Sequence, residues 1–382
     1  MKTSRRSAVD PFIVMDVVKA AAQAEAAGRH IIHMEIGQPG TPAPATAHAA
    51  LRAAMDVQPL GYTMALGLPA LRDGIAALYG DWYGVDLDPA RVIVTAGSSG
   101  AFVLAFTALF DTGARVGVSE PGYPSYRQIL RALDLCPVGV PTHDAQGHRM
   151  QPDDLPQDLD GLIVASPANP TGTILNAAQL GALIGAAQAS DAAFISDEIY
   201  HGLHFAAPAT TALSISDDVY VINSFSKYFS MTGWRVGWMV VPQDHVRTVE
   251  RLAQNLFICA PHAAQVAALG ALQGRAEAET RRTDYAENRR VLLEGLPRAG
   301  FDRIAPPDGA FYIYADVAHL TDDSRAFADE ILEQAGVAVT PGLDFDPVRG
   351  HRTLRFSYAA APADIAEGLA RLAAFMAHRS GD

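Results

Sequence analysis

The chain of 382 residues carries 29 lysines and arginines against 42 aspartates and glutamates, a formal charge of −13, which leaves no broad basic face for nucleic acid or an anionic membrane. Hydrophobic residues make up 49% and charged residues 19%, a globular composition, and no apolar run approaches the roughly 20 residues of a membrane span. The two cysteines, Cys136 and Cys259, lie far apart and fit no metal-ligand spacing, so both are expected to be reduced and buried.

The N-terminus is basic at first but lacks the apolar stretch of about 7–15 residues that marks a secretory signal, and a cytoplasmic location is expected. A helix is predicted over 16–27, ended by Gly28. Strands are predicted at 91–95, 115–119, 161–166, 193–196, 219–223 and 236–241, with helices at 100–110, 125–133 and 177–189 between them. Short apolar strands separated by helices predict a mostly parallel sheet covered on both faces. Ligands of such sheets sit beyond the carboxyl ends of the strands, where Gly97–Ser99, Tyr123, Asn169, Asp197 and Lys227 all fall. After residue 260 the pattern changes. A long helical stretch over 263–296, strands at 310–315, 337–340 and 353–358, and helices at 323–335 and 362–378 predict a smaller α+β domain.

The most specific motif runs from Ser224 to Gly237, S-F-S-K-Y-F-S-M-T-G-W-R-V-G. Phe225, Tyr228, Phe229, Met231 and Trp234 surround Lys227 with apolar surface, and burial disfavours its charged form. A lysine of lowered pKa is a nucleophile for carbonyls, and Arg235 offers a fork of donors for a phosphate. Together they describe a pyridoxal phosphate site. The spacing closely resembles the lysine signature of class I/II aminotransferases, the fold-type-I pyridoxal phosphate enzymes.

Other residues meet the cofactor's remaining needs. Gly97, Ser98 and Ser99 precede a helical run and, with Ser224 and Arg235, form a candidate phosphate site. Asp197 follows an apolar strand and suits the protonated ring nitrogen, with Glu198 as its local competitor. Tyr200 supplies a phenol for the ring oxygen, and Tyr123 rather than Tyr126 is read as the stacking ring. Asn169 lies in the turn S-P-A-N-P-T-G, and its match to the family's asparagine turn implies a ring contact and a place beside the substrate. Arg355, in T-L-R-F-S-Y-A, could be an ordinary strand arginine on a solvated face; the resemblance implies the clamp for the substrate α-carboxylate. It also implies that the Gly37 backbone meets that carboxylate and that Tyr62 reaches the neighbouring subunit's phosphate. His201 and His204 form H-x-x-H without a third ligand nearby, so no metal is expected.

The resemblance covers almost the whole chain, Gly37 to Arg355. It implies an aspartate-aminotransferase-like α/β fold with a mostly parallel seven-stranded sheet. The large domain would span 45–283 and the small domain 1–44 and 284–382. It further implies a homodimer with active sites at the interface, and ping-pong transfer between an amino acid and a 2-oxo acid. Lys227, Asp197 and Tyr200 would be catalytic. A β-lyase, a racemase or an aminotransferase-like sensor module remain alternatives on the same scaffold. Segments 12–15, 37–45 and 255–261 contain no arginine. Burying an unpaired distal carboxylate costs several kcal/mol, so neutral amino acids are the expected donors.

Overall fold

The fold comes from a computed structural model that describes residues 1–379. Its strands are β1 (Ile32–His33), β2 (Val92–Thr95), β3 (Arg115–Glu120), β4 (Cys136–Pro141), β5 (Gly161–Ala165), β6 (Ala193–Asp197), β7 (Tyr220–Ser224), β8 (Gly237–Val240), β9 (Arg303–Ile304), β10 (Tyr312–Asp316), β11 (Val337–Ala338), β12 (Thr340–Pro341) and β13 (Thr353–Ser357). Seven of them form one sheet in the order β2-β8-β7-β6-β5-β3-β4. Every pair is parallel except those of β8, which runs against both β2 and β7. A second, antiparallel sheet has the order β12-β13-β10-β9, and β1 pairs in parallel with β11.

The central strands lack polar alternation because both faces of the sheet are covered. Ile93, Ile163, Ile195, Ile222 and Met239 pack on one face with Phe102, Phe106 and Leu130 of the helices Gly97–Leu109 and Pro124–Ala132. Their neighbours Val94, Val164, Phe194, Val221 and Trp238 turn to the other face, against Leu180 and Leu183 of Ala177–Ala189. That second core continues into Ile313, Leu354 and Phe356 of the small sheet. One apolar core thus ties the two sheets together.

The structure adds a strand the sequence pattern hides. β4 reads C-P-V-G-V-P, and proline is confined to edges because it cannot donate to a ladder; β4 pairs only with β3. This edge also corrects the reading of Cys136, which is exposed, while Cys259 is only half-buried. The continuous helical stretch after residue 262 is two helices, His262–Ala271 and Arg275–Gly295. They part at Gly274, where a Cβ would lie 2.5 Å from Pro44 and 2.6 Å from the Thr46 hydroxyl. The second helix runs unbroken through residue 283. Pro69–Tyr83 packs on β2, Val246–Leu256 on the helix Gly97–Leu109, and Ala45–Val57 on His262–Ala271. Among the described residues no helix is long and apolar enough to cross a membrane.

Candidate active site

A cavity of about 560 Å³ opens beyond the carboxyl ends of the parallel strands, between the large and the small sheet. Gly37, Ser98, Ser99, Tyr123, Asn169, Asp197, Tyr200, Lys227, Arg235 and Arg355 all line it. Most are put there by the same device, a strand that ends in a buried site and hands the chain to a loop or helix.

At the end of β2 the helix Gly97–Leu109 begins, with Gly97 at φ +71°. A Cβ on Gly97 would meet the Arg235 guanidinium at 2.5 Å, and one on Gly237 would meet the Ser98 backbone nitrogen at 3.0 Å. These two glycines let Arg235, the Ser98 and Ser99 hydroxyls and the helix's free amides share one cradle. Converging amides and a guanidinium are the donor set of a phosphate site. The arginine Nη1 donates to the Thr232 carbonyl at 2.8 Å, which aims the fork. Ser224 is the buried last residue of β7; its hydroxyl shares a hydrogen bond with the Ser226 hydroxyl (2.7 Å) and donates to the Val236 carbonyl (3.1 Å), and Ser226 lines the cavity.

Lys227 follows β7 by three residues, and its Nζ donates to the Gly37 carbonyl at 2.7 Å. Its pKa is lowered to about 8, chiefly by burial, then by the positive charges of Arg355 and Arg235, with Asp197 opposing. The amine is therefore unprotonated far more often at neutral pH than an ordinary lysine, although the ammonium still predominates, and that free fraction is the nucleophile or base.

Asp197 ends β6, fully inside the protein. Burial raises its carboxyl to about 6, while the Tyr126 hydroxyl, the Ile199 amide and Lys227 pull it down. Tyr126 donates to Oδ2, and the Ile199 N–H donates to Oδ1 at 3.1 Å. Glu198 points away: its Oε1 accepts from Ser196 (3.1 Å), Thr211 (3.0 Å) and the Ala212 amide (2.8 Å), off the cavity wall. Burial pushes it up to about 8. Tyr123 lies on the wall with its ring edge-on to Phe12 (6.0 Å) and Tyr126 (5.3 Å). The orienting role of Tyr126 was missed by sequence reasoning; its spacing of three from Tyr123 on one helix turn was the available signal.

Arg355 sits on β13, and it is buried rather than on a solvated face. Its Nη1 donates to Asn169 Oδ1 at 2.9 Å and its Nη2 to the Glu35 carbonyl, while Nε has no hydrogen-bond partner among the described residues. The guanidinium lies 4.4 Å from the Tyr312 ring centre and 4.7 Å from that of Phe345. The Tyr312 hydroxyl shares a 2.7 Å hydrogen bond with Tyr200 and fills the space a Gly37 Cβ would need, at 2.0 Å. Gly37 is glycine for that reason. Phe12, Val14, Met15 and Ile36 close the remaining wall. Segment 255–260 takes no part in the wall, and Tyr62 is 83% exposed, outside this chain's own cavity.

Comparison with known proteins agrees with this arrangement. The model of the family "Aminotransferase class I and II" matches residues 29–372. The valine–pyruvate aminotransferase of Mycobacterium tuberculosis is 45% identical over 384 residues, covering 98% of each chain. A solved structure from Silicibacter pomeroyi is 67% identical with a TM-score of 0.95, covering 99% of this chain and 100% of that one. The aspartate aminotransferase of Thermus thermophilus solved with maleate is 30% identical with a TM-score of 0.92, covering 98% and 100%. The chain therefore belongs to the class I and II aminotransferases and is a pyridoxal phosphate-dependent enzyme that moves amino groups between amino acids and 2-oxo acids. The residues fit that cofactor: an anion cradle that a Cβ at Gly97 or Gly237 would fill, a buried lysine of lowered pKa and a buried carboxylate face one cavity.

Proposed function

We propose that the enzyme prefers neutral, apolar amino acids as donors. The observation that carries this reading is the wall beside Arg355. Phe12, Val14, Met15 and Ile36 form it, and among the described residues its cations are only Lys227, Arg235 and Arg355, each with a task already. A distal carboxylate would be buried there without a partner, at a cost of several kcal/mol. The 45% identity to a valine–pyruvate aminotransferase supports the same reading.

Pyridoxal phosphate, when bound, supplies a carbonyl for the donor's amine and a ring that takes up the electron pair left at Cα. Ser98, Ser99 and Arg235 hold its phosphate. Asp197, oriented by Tyr126, keeps the ring nitrogen protonated, and Tyr200 and Asn169 address the ring oxygen. Arg355 pairs with the donor's α-carboxylate in a planar two-bond fork. Lys227 would hold the cofactor through its amine and, once free, would move the proton from Cα to the cofactor's carbonyl carbon.

Tyr62, together with the exposed Met55, Val57 and Met64, belongs to the face toward a second subunit in this reading, which makes the enzyme a homodimer. The cofactor domain is 45–283, and both termini form the small domain.

The test follows the visible absorption of the bound cofactor after mixing with one amino acid at a time. Leucine, methionine, phenylalanine and alanine should convert it more efficiently than aspartate. The reading is overturned if aspartate is the better donor by about tenfold, 1.4 kcal/mol.

A further inference from the structure

The apolar wall depends on a contact that joins the two ends of the chain. Phe12, Val14 and Met15 lie at the start of the helix Ile13–Ala26, yet Phe12, at the N-cap position with extended backbone, makes no side-chain cap bond. The cap comes from 331 residues downstream: Asp344 Oδ1 accepts from the Ile13 N–H at 3.0 Å, and Oδ2 accepts from the Val14 N–H at 3.1 Å. Asp344 is 4% exposed. A carboxylate taking two free amides at a helix N-terminus satisfies them and meets the positive end of the helix dipole.

Asp344 is itself held in place. Buried Arg127 donates from Nη2 to the Asp344 carbonyl at 3.0 Å and from Nη1 to the Phe345 carbonyl at 3.1 Å. Arg127 follows Tyr126, which orients Asp197, and the Phe345 ring faces the Arg355 guanidinium. A short chain of contacts thus sets the apolar wall against the carboxylate clamp.

We propose that Asp344 is a positioning residue that determines specificity: it fixes Phe12, Val14 and Met15 as the wall met by the donor's side chain. This rests on the apolar-donor reading above. Without the cap the first helical turn frays, and a long side chain must order the segment before gaining its contacts. A methyl side chain makes few such contacts, so alanine should be indifferent to the cap.

Two substitutions approach the contact from opposite sides. Asp344→Asn replaces one acceptor by a donor facing an N–H. Ile13→Pro deletes one N–H at a first-turn position that tolerates proline, and Ile13 is off the cavity wall. In the holoenzyme, Asp344→Asn should raise KM for leucine and methionine about tenfold, the worth of one hydrogen bond to a charged group. Ile13→Pro should act in the same direction and less. KM for alanine, kcat and cofactor absorption should hold, and hydrogen exchange at residues 12–18 should quicken in both variants. Equal rises for alanine and leucine would place the effect on Arg355 and overturn the proposal, as would unchanged KM values in both variants. If Asp344→Asn does not fold, Ile13→Pro decides alone. A wrong donor class shows in the unmodified enzyme as a preference for aspartate, whereas a wrong role for Asp344 shows only in the ratio of variant to unmodified enzyme.

Discussion

On the cofactor side of the cavity, Ser98, Asp197 and Lys227 lie at or just past the ends of β2, β6 and β7 in the seven-stranded sheet. On the substrate side, Phe12, Gly37, Tyr312 and Arg355 come from both ends of the chain and meet only because the small sheet closes over the large one. The first group is held at the ends of strands of one sheet; in the second, Arg355 and Tyr312 sit on buried strands of the small sheet, and the N-terminal residues join them through long-range contacts such as Asp344 with Ile13. A fixed cofactor side beside a replaceable substrate side lets one chemistry serve many substrates.

The sharpest test of the cofactor side is Lys227→Ala. It should lower turnover by roughly 10⁴-fold or more, because nucleophile and base are lost together. The melting temperature should not fall, since the variant loses the hydrogen bond to the Gly37 carbonyl but also the cost of burying the ammonium. Residual turnover above a hundredth of normal would move the reacting amine elsewhere.

The neighbours Asp197 and Glu198 draw the same line within one strand end. Asp197→Asn should slow Cα proton removal by about 10²–10³-fold while cofactor affinity changes much less. Glu198→Gln keeps an oxygen that can accept from Ser196, Thr211 and Ala212 and should leave the rate nearly intact. Stopped-flow traces of the two variants decide, and the reverse ranking would show the wrong carboxylate has been assigned.

That line also divides what could be read in advance. The cofactor side was legible because chemistry and secondary structure are local there. An apolar strand followed by Asp197, or a glycine turn followed by Ser98 and Ser99, is visible within ten residues. Ser224 and Ser226 are less sharply separated, since their hydroxyls share one hydrogen bond and which of them faces a phosphate rests on how a strand end turns. The substrate side was legible in Arg355 and Gly37 only through family resemblance. Nothing near Tyr312 or Asp344 announces a role, since each acts on a residue hundreds of positions away. The proline-bearing edge strand β4 was hidden because its residues contradict strand propensity while its position tolerates them.

Arg355→Lys probes the substrate side. An ammonium keeps the charge but cannot give two coplanar hydrogen bonds, so kcat/KM for every donor should fall by about 1.5–3 kcal/mol, or roughly 10–150-fold. Cofactor absorption should not change. An unaltered dependence on donor concentration would assign the clamp to another residue.

The smallest effect joins the two sides. Burial, then Arg355 and Arg235, lower Lys227 from the ordinary 10.5 to about 8, and Asp197 pulls the other way. In cofactor-free enzyme, acylation of Lys227 by a neutral reagent should therefore accelerate as pH rises through about 8 and level off above it, as read by peptide mass spectrometry. The same shift acts on stability: between pH 8 and 10.5 the unfolded chain holds this proton and the folded one does not, so the lysine's cost to the fold is full below 8 and fades as pH rises. Asp197→Asn removes a negative charge that favours the ammonium, so the reactivity midpoint should move to lower pH by less than about one unit. A midpoint near that of exposed lysines would contradict the buried amine of lowered pKa, and an unshifted midpoint in Asp197→Asn would mean that the two side chains do not share a field across the cavity.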